Sequence, residues 1–215
     1  MNTDLHNYRK SYEKGALLID KTVAHPMEQF SIWFKEVEDA GGVTEPNAMT
    51  VATLGEDGFV KSRIVLLKEY DATGFVFYTN YESEKGQSIA YHSKVGISFF
   101  WPNLERQVIV KGTVSKVSAA QSDAYFSSRP DQSKLGALVS NQSTVIESRQ
   151  VLEGKMETLK EKYKNLPIER PENWGGYIVK PHSVEFWQGR PNRLHDRILY
   201  RTIKNNEWSK ERLAP

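Results

Sequence analysis

The sequence predicts a mainly β fold with helices, an antiparallel β-barrel decorated by α-helices. Three observations point there. Short β-branched or aromatic runs outnumber amphipathic helical stretches. Most neighbouring runs are joined by turns of hairpin length, whereas a parallel βαβ sheet needs long crossovers. Finally, 215 residues at 39% hydrophobic and a mean hydropathy of −0.58 suffice to bury a core as a single domain, residues 1–215, without staples.

Residues 1–21 read as a polar, mobile arm. Pro26 to Ala40 then reads as a helix: Phe30, Trp33, Phe34 and Val37 fall at i, i+3, i+4 and i+7, Pro26 suits the first turn, and Gly41-Gly42 stops it. Strands are expected at Ala48–Leu54, Val60–Leu67, Phe75–Tyr78, Val95–Trp101 and Gln107–Val117. The turns between them are Gly55-Glu-Asp-Gly58, Asp71-Ala-Thr-Gly74 and Pro102-Asn103. Within the last strand Gly112 marks a bulge or bend. Ser83 is placed to cap a helix running towards Tyr91. Residues 118–165 form a helical insertion: Ser118-Ala-Ala-Gln121 is a capping-box pattern opening a helix towards Phe126, and Leu152, Met156, Leu159 and Tyr163 share one face of a helix over Thr144–Tyr163. Strands return over 177–215, at Tyr177–Val179, Ser183–Gln188, Arg197–Lys204 and Glu207–Arg212, the last two around Asn205-Asn206.

Composition removes whole classes of chemistry. The chain has no cysteine, which excludes disulfides, thiolate nucleophiles, iron–sulfur clusters and cysteine-ligated zinc. Its five histidines lie far apart with no metal-ligand spacing, so no metal is expected. The longest apolar stretch, around Val95 to Trp101, is too short to span a bilayer, and a cytoplasmic protein is the default. A net charge of +2 implies no general affinity for nucleic acid. The charge is uneven, however: residues 182–215 hold seven Lys/Arg against four Asp/Glu, which suits a small anionic ligand. Gly55-Glu-Asp-Gly-Phe-Val-Lys-Ser62 nearly matches a phosphate-binding loop, but Val60 stands where close backbone approach needs glycine, and a strand follows in place of a helix. A hairpin turn is the better reading. Neither G-x-G-x-x-G nor G-x-S-x-G occurs.

Three basic elements remain. In Trp187-Gln-Gly-Arg-Pro-Asn-Arg-Leu-His-Asp-Arg197, an extended end would project Arg193, His195 and Arg197 to one face, where they repel unless an anion sits between them; a solvated basic loop is the alternative. In Arg63-Ile-Val-Leu-Leu-Lys68 the odd separation puts the two cations on opposite faces of an ideal strand, so they serve different groups or the strand bends, unless these are only polar strand ends. In Tyr125-Phe-Ser-Ser-Arg-Pro-Asp-Gln-Ser133 hydroxyls flank Arg129, which suits a phosphate or an ordinary Ser/Pro turn.

Taken in this order, the motifs resemble the pyridoxine/pyridoxamine 5′-phosphate oxidase family. The resemblance runs from Arg9-Lys-Ser-Tyr12 to Glu211-Arg-Leu-Ala-Pro215, and its specific pieces are Arg63-Ile-Val-Leu-Leu-Lys68, Phe77-Tyr-Thr-Asn80, Trp187-Gln-Gly and Arg193-Leu-His-Asp-Arg197. It implies an FMN-binding split β-barrel and a homodimer with active sites at the subunit interface. It implies that FMN is held by Arg63, Ile64, Val65, Leu66, Leu67 and Lys68, by Tyr78, Thr79 and Lys85, and by Gln107, Gln142, Ser143, Trp187 and Arg197. Lys68, Tyr125, Arg129 and Ser133 would meet the substrate phosphate; Arg193, Leu194 and His195 would face the pyridine ring; Arg9 and Tyr12 would close the site. Arg193 and His195 are the expected catalytic pair. The implied reaction oxidises pyridoxamine or pyridoxine 5′-phosphate to pyridoxal 5′-phosphate, with hydride transfer from C4′ to flavin N5 and O2 as the final acceptor, giving hydrogen peroxide (H2O2). The rival readings are another split-barrel flavin oxidoreductase, such as a flavin reductase, and a non-catalytic flavin or pyridoxal-phosphate binding protein. One departure stands out: the family commonly has Ser-Arg-Lys where this chain has Ser83-Glu84-Lys85. An acid there suits the helix dipole but opposes a nearby phosphate.

Overall fold

The computed structural model describes residues 3–8, 10–203 and 207–215. Helix α1 (Pro26–Ala40) has Pro26 in its first turn, His25 as N-cap accepting the Met27 N–H at Nδ1 (3.2 Å), and Gly41 at its end. Its apolar positions Phe30, Trp33 and Val37 are buried, the full removal of a side chain such as Phe30 from water being worth about 1.5–3 kcal/mol. Strands β1 (Ala48–Leu54) and β2 (Val60–Leu66) follow, joined by the expected glycine turn, in which the Gly55 N–H donates to the Phe59 carbonyl. Next come β3 (Glu69–Tyr70), β4 (Phe75–Asn80), α2 (Glu84–Tyr91), β5 (Lys94–Trp101) and β6 (Arg106–Lys116). Three helices, α3 (Ala119–Ser128), α4 (Asp131–Val139) and α5 (Arg149–Lys162), precede β7 (Trp174–Gln188), β8 (Asp196–Thr202) and β9 (Trp208–Leu213).

Among the described residues the strands form one nine-stranded sheet in the order β2-β1-β5-β6-β7-β4-β3, with β8 pairing β7 and β9 pairing β8. The described registers are antiparallel: Phe77 lies opposite Tyr177, Trp187 opposite Arg197, and Tyr200 opposite Lys210. Two compact units can be distinguished. The first takes in residues 1–50, 97–111 and 181–215; the second takes in 51–96 and 112–180. The first buries an aromatic core in which Phe30 meets Phe99 (5.0 Å between centroids), Trp33 meets Phe186 (5.1 Å) and Phe186 meets Tyr200 (5.5 Å). The second is built on Phe77, Tyr177, Phe126 and Trp174, with Phe126 edge-on to Trp174 at 5.2 Å. Among the described residues no helix is long and apolar enough to cross a membrane.

Several boundaries differ from those expected. Strand β2 stops at Leu66, β4 runs on to Asn80, and β3 and α4 were not anticipated. The two strands read at Tyr177–Val179 and Ser183–Gln188 are one, β7. Pro181 falls between the ladders to β4, which ends at Val179, and to β8, which begins at Ser183, so its missing N–H is lost from neither. Helix α5 begins at Arg149, later than Thr144. Strand β8 ends at Thr202; Lys204 and the Asn205-Asn206 turn lie outside the described residues. Gly112 sits in an unbroken strand: a Cβ there would lie 2.6 Å from the Lys180 carbonyl oxygen, so close backbone approach, and no bulge, requires the glycine. The arm is tied down before α1: Glu13 and Lys14 donate their N–H groups to the Glu105 carboxylate, and Leu17 donates its own to Asp196.

Candidate active site

The second unit contains a cavity of about 920 Å³. Strand β2 supplies Arg63, Ile64, Val65 and Leu66, and the end of β4 supplies Tyr78, Thr79 and Asn80. The start of α2 brings Glu84 and Lys85, because Ser83 caps that helix through the Gly86 N–H. Tyr125 and Arg129 reach it from the end of α3, Ser133 and Gly136 from one face of α4, and Gln142 and Ser143 from the following turn, where Ser143 holds a left-handed φ of 75°. Lys68 also lines the cavity. Since β2 has ended at Leu66, strand alternation no longer places Lys68 opposite Arg63, and both cations face the same space.

Cations dominate the walls. Lys61, Arg63, Lys68, Lys85 and Arg129 stand against a single lining carboxylate, Glu84. Lys85 is buried and donates to Gln142 Oε1 (2.8 Å), Thr79 Oγ1 (3.0 Å) and Ser83 Oγ (3.3 Å), all neutral acceptors. Burial, and then the neighbouring Arg63 charge, push its ammonium down to about 8. The Arg63 guanidinium, lowered by burial, donates to Thr53 Oγ1 (2.8 Å) and the Val51 carbonyl (3.1 Å). Arg129 lies over the Trp174 ring at 4.6 Å, and burial lowers it too. Its Nη1 is buried with no hydrogen-bond partner among the described residues. Two exposed groups, Lys61 and Glu84, pair with each other. Tyr78 stacks on Tyr125 (3.8 Å) and donates to Glu69 (2.7 Å).

A second group of residues gathers in the first unit. Trp187 meets His195 with centroids 4.6 Å apart, and Tyr12 stands 5.8 Å from Trp187 and 5.9 Å from His195. His195 Nδ1 accepts the Arg190 N–H (3.1 Å), so in the neutral ring the proton sits on Nε2. The segment is not extended as expected: Pro191–Arg193 is a short 3-10 turn in which Asn192 (φ 58°) and Arg193 (φ 62°) are both left-handed. Strand alternation therefore does not set Arg193 beside His195 and Arg197. Arg193 and Leu194 are exposed. Arg197 is engaged by Glu185 (2.7 Å), which raises its pKa, and donates to the Ala214 carbonyl.

Residues 35–163 match a family model described as pyridoxamine 5′-phosphate oxidase. The chain belongs to the pyridoxamine 5′-phosphate oxidase family. Residues 174–215 match a second model, the pyridoxine 5′-phosphate oxidase C-terminal dimerisation region. The pyridoxine/pyridoxamine 5′-phosphate oxidase of Flavobacterium psychrophilum is 58% identical over 212 residues, 99% of each chain, and that of Gloeothece citriformis is 50% identical over the whole of both. Among solved structures, PhzG from Burkholderia lata in complex with tetrahydrophenazine-1-carboxylic acid superposes with a TM-score of 0.86 at 25% identity, covering 94% of this chain and all of that one. A pyridoxamine 5′-phosphate oxidase-related, FMN binding protein from Nostoc punctiforme gives 0.71 at 18%, covering 90% and 99%, and shows the split-barrel fold.

Seen as a member of the pyridoxamine 5′-phosphate oxidase family, the chain divides its expected site residues between its two units. The cavity gathers Arg63, Ile64, Val65, Leu66, Lys68, Tyr78, Thr79 and Lys85 with Tyr125, Arg129, Ser133, Gln142 and Ser143. Leu67 is buried and does not line it. Tyr12, Gln107, Trp187, Arg193, Leu194, His195 and Arg197 belong to the first unit, where Gln107 donates to Ser98 (3.1 Å). Arg9 lies outside the described residues. Not anticipated were Lys61, Trp174 and, beside Ser133 on α4, Gly136 and Ala137. The Arg129-Pro130-Asp131 run reads as a turn, and only the spacing of Ser133, Gly136 and Ser140 from Pro130 hints at a helix. A phosphorylated flavin fits these walls. Its phosphate would relieve Lys85, whose charged form is disfavoured by burial, and a second phosphate would relieve the buried Arg129 Nη1, which has no acceptor among the described residues.

Proposed function

We propose that this chain is a cytoplasmic, homodimeric, FMN-dependent enzyme that oxidises pyridoxamine 5′-phosphate or pyridoxine 5′-phosphate to pyridoxal 5′-phosphate. The observation that carries the reading is the cationic cavity, five cations around one carboxylate with the Arg129 Nη1 lacking an acceptor among the described residues, in a chain of this family. Arg63, Lys85, Thr79, Gln142 and Ser143 hold the flavin phosphate side of the site, and Lys68, Tyr125, Arg129 and Ser133 take the substrate phosphate. A bound FMN supplies acceptance of a hydride from C4′ at N5 and passage of the electrons to O2, with H2O2 as product. Arg193, exposed and without an ion pair among the described residues, holds the substrate ring over the flavin. His195, its proton directed to Nε2, orients the C4′ substituent or relays the proton it loses. Trp187 and Arg197 complete the flavin site. The match of residues 174–215 to a dimerisation region supports a homodimer in which both subunits contribute to each site.

The test is aerobic formation of pyridoxal 5′-phosphate from pyridoxamine 5′-phosphate by the purified yellow protein, with stoichiometric H2O2. A yellow protein that oxidises a nicotinamide and leaves pyridoxamine 5′-phosphate untouched is a flavin reductase. A protein that binds flavin and turns over neither is a binding module.

A further inference from the structure

We propose that Glu105 is a positioning residue of the active site: its carboxylate holds the arm so that Tyr12 stands against Trp187 and His195. Glu105 closes the turn between β5 and β6, and it is only 2% exposed. A carboxylate buried to that degree needs partners, and Lys10, at 3.9 Å and with its side chain 70% exposed, is a distant one. The close partners are backbone groups: Glu105 Oε2 accepts the N–H of Glu13 (2.7 Å) and of Lys14 (2.9 Å), the two residues that follow Tyr12. Charged acceptors make the stronger class of hydrogen bond, and two successive N–H groups on one oxygen fix the direction of the arm.

The anchor itself is held in an uncommon state. Glu105 has a left-handed φ of 55°, which a residue with a side chain keeps only where its surroundings impose it. Here the end of β7 imposes it: the Gly189 N–H donates to the Glu105 carbonyl (2.8 Å), and Gln188 Nε2 donates to the carbonyls of Leu104 (3.0 Å) and Glu105 (3.3 Å). The same strand end receives Tyr12. A Cβ on Gly189 would lie 2.8 Å from the Tyr12 side chain, so the ring packs where only glycine leaves room. One strand end therefore fixes the anchor, seats the ring that the anchor delivers, and carries Trp187. The arrangement places Tyr12 within the group that includes His195, and its bearing on catalysis rests on the reading that Tyr12 and His195 meet the substrate.

The experiment uses flavin-loaded full-length protein, comparing Glu105→Ala, Glu105→Gln, Tyr12→Ala and the double variant Tyr12→Ala/Glu105→Ala. In Glu105→Ala the amides of Glu13 and Lys14 should lose protection from hydrogen exchange while those of the β strands keep theirs. FMN affinity should be unchanged, and KM for pyridoxamine 5′-phosphate should rise about tenfold with a smaller change in kcat. Glu105→Gln, which retains a neutral acceptor, should lie between, and it carries the comparison if the alanine variant does not fold. The double variant should be no worse than Tyr12→Ala, because one residue acts through the other. Wild-type exchange at Glu13 and Lys14, an unchanged KM, or additive losses would overturn the proposal. Absence of pyridoxamine 5′-phosphate oxidation in the wild-type protein would instead defeat the functional reading, and the exchange measurement would still decide whether Glu105 holds the arm.

Discussion

Lys85 makes the pH behaviour of the site predictable. With its ammonium pushed from the ordinary 10.5 down to about 8, the unfolded chain binds the proton more tightly than the folded one between those values. The contribution of Lys85 to apoprotein stability is therefore lowest below pH 8 and rises with pH across that window. A phosphate favours the ammonium, so FMN binding above pH 8 should take up a proton and weaken as pH rises towards 10; titrations in buffers of differing ionisation enthalpy measure both, and Lys85→Met should abolish the dependence. Glu84 is the opposing charge. Glu84→Arg removes the one carboxylate lining the cavity and should tighten FMN binding about tenfold at low ionic strength, less at 0.15 M salt; an unchanged titration would mean that the side chain does not sense the phosphate. For the proposed catalytic pair, Arg193→Leu should leave flavin bound and lower kcat/KM about 30- to 1,000-fold, with slower anaerobic bleaching of the flavin by pyridoxamine 5′-phosphate. His195→Asn should lose less if orientation is its main role. At this scale Arg63, Lys68 and Arg129 were legible because a cation bracketing an apolar run or set among hydroxyls is conspicuous. Glu105 was not, since a carboxylate in a polar turn looks solvated until a distant segment is seen to cover it.

Among the elements, α1, β1 and the glycine turn between β1 and β2 could be read directly, because apolar spacing and turn chemistry agree at each. Three of the misreadings have a common origin in proline and glycine. Pro181 looks like a strand break, and instead falls where β7 exchanges β4 for β8; Pro130 looks like a turn, and instead precedes α4. Gly112 looks like a bulge, and instead makes room for Lys180. Each was decided by a neighbouring strand or helix that local sequence does not reveal. Gly112 gives a stability test: in Gly112→Ala the new methyl meets the Lys180 carbonyl and Val179 Cγ1 at 2.6 and 2.7 Å, and strand displacement should cost about 1–3 kcal/mol, read as a lower urea midpoint at constant slope. An unchanged midpoint would show that β6 and β7 can part there freely.

For the molecule as a whole, the division of the expected site residues between two units makes assembly the central question. If each site is completed by a partner subunit, flavin retention should follow dimerisation: sedimentation should show a yellow dimer, and dilution that dissociates it should release FMN. A yellow monomer would count against the shared site. The family and the barrel were legible across the sequence because the motifs are spread over nearly its whole length. How one chain brings the motifs together was not, because spacing along a chain says nothing about which copy supplies a neighbour. The latch on the arm also bears on how the protein is made. Leu17 donates to Asp196 and accepts from Arg212, a partner 195 positions later. At about 5–20 residues per second, a ribosome needs about 10–40 s to travel from one to the other. The arm thus waits for partners made much later, and the polar, charge-bearing run from Thr3 to Lys14 is suited to that wait in water.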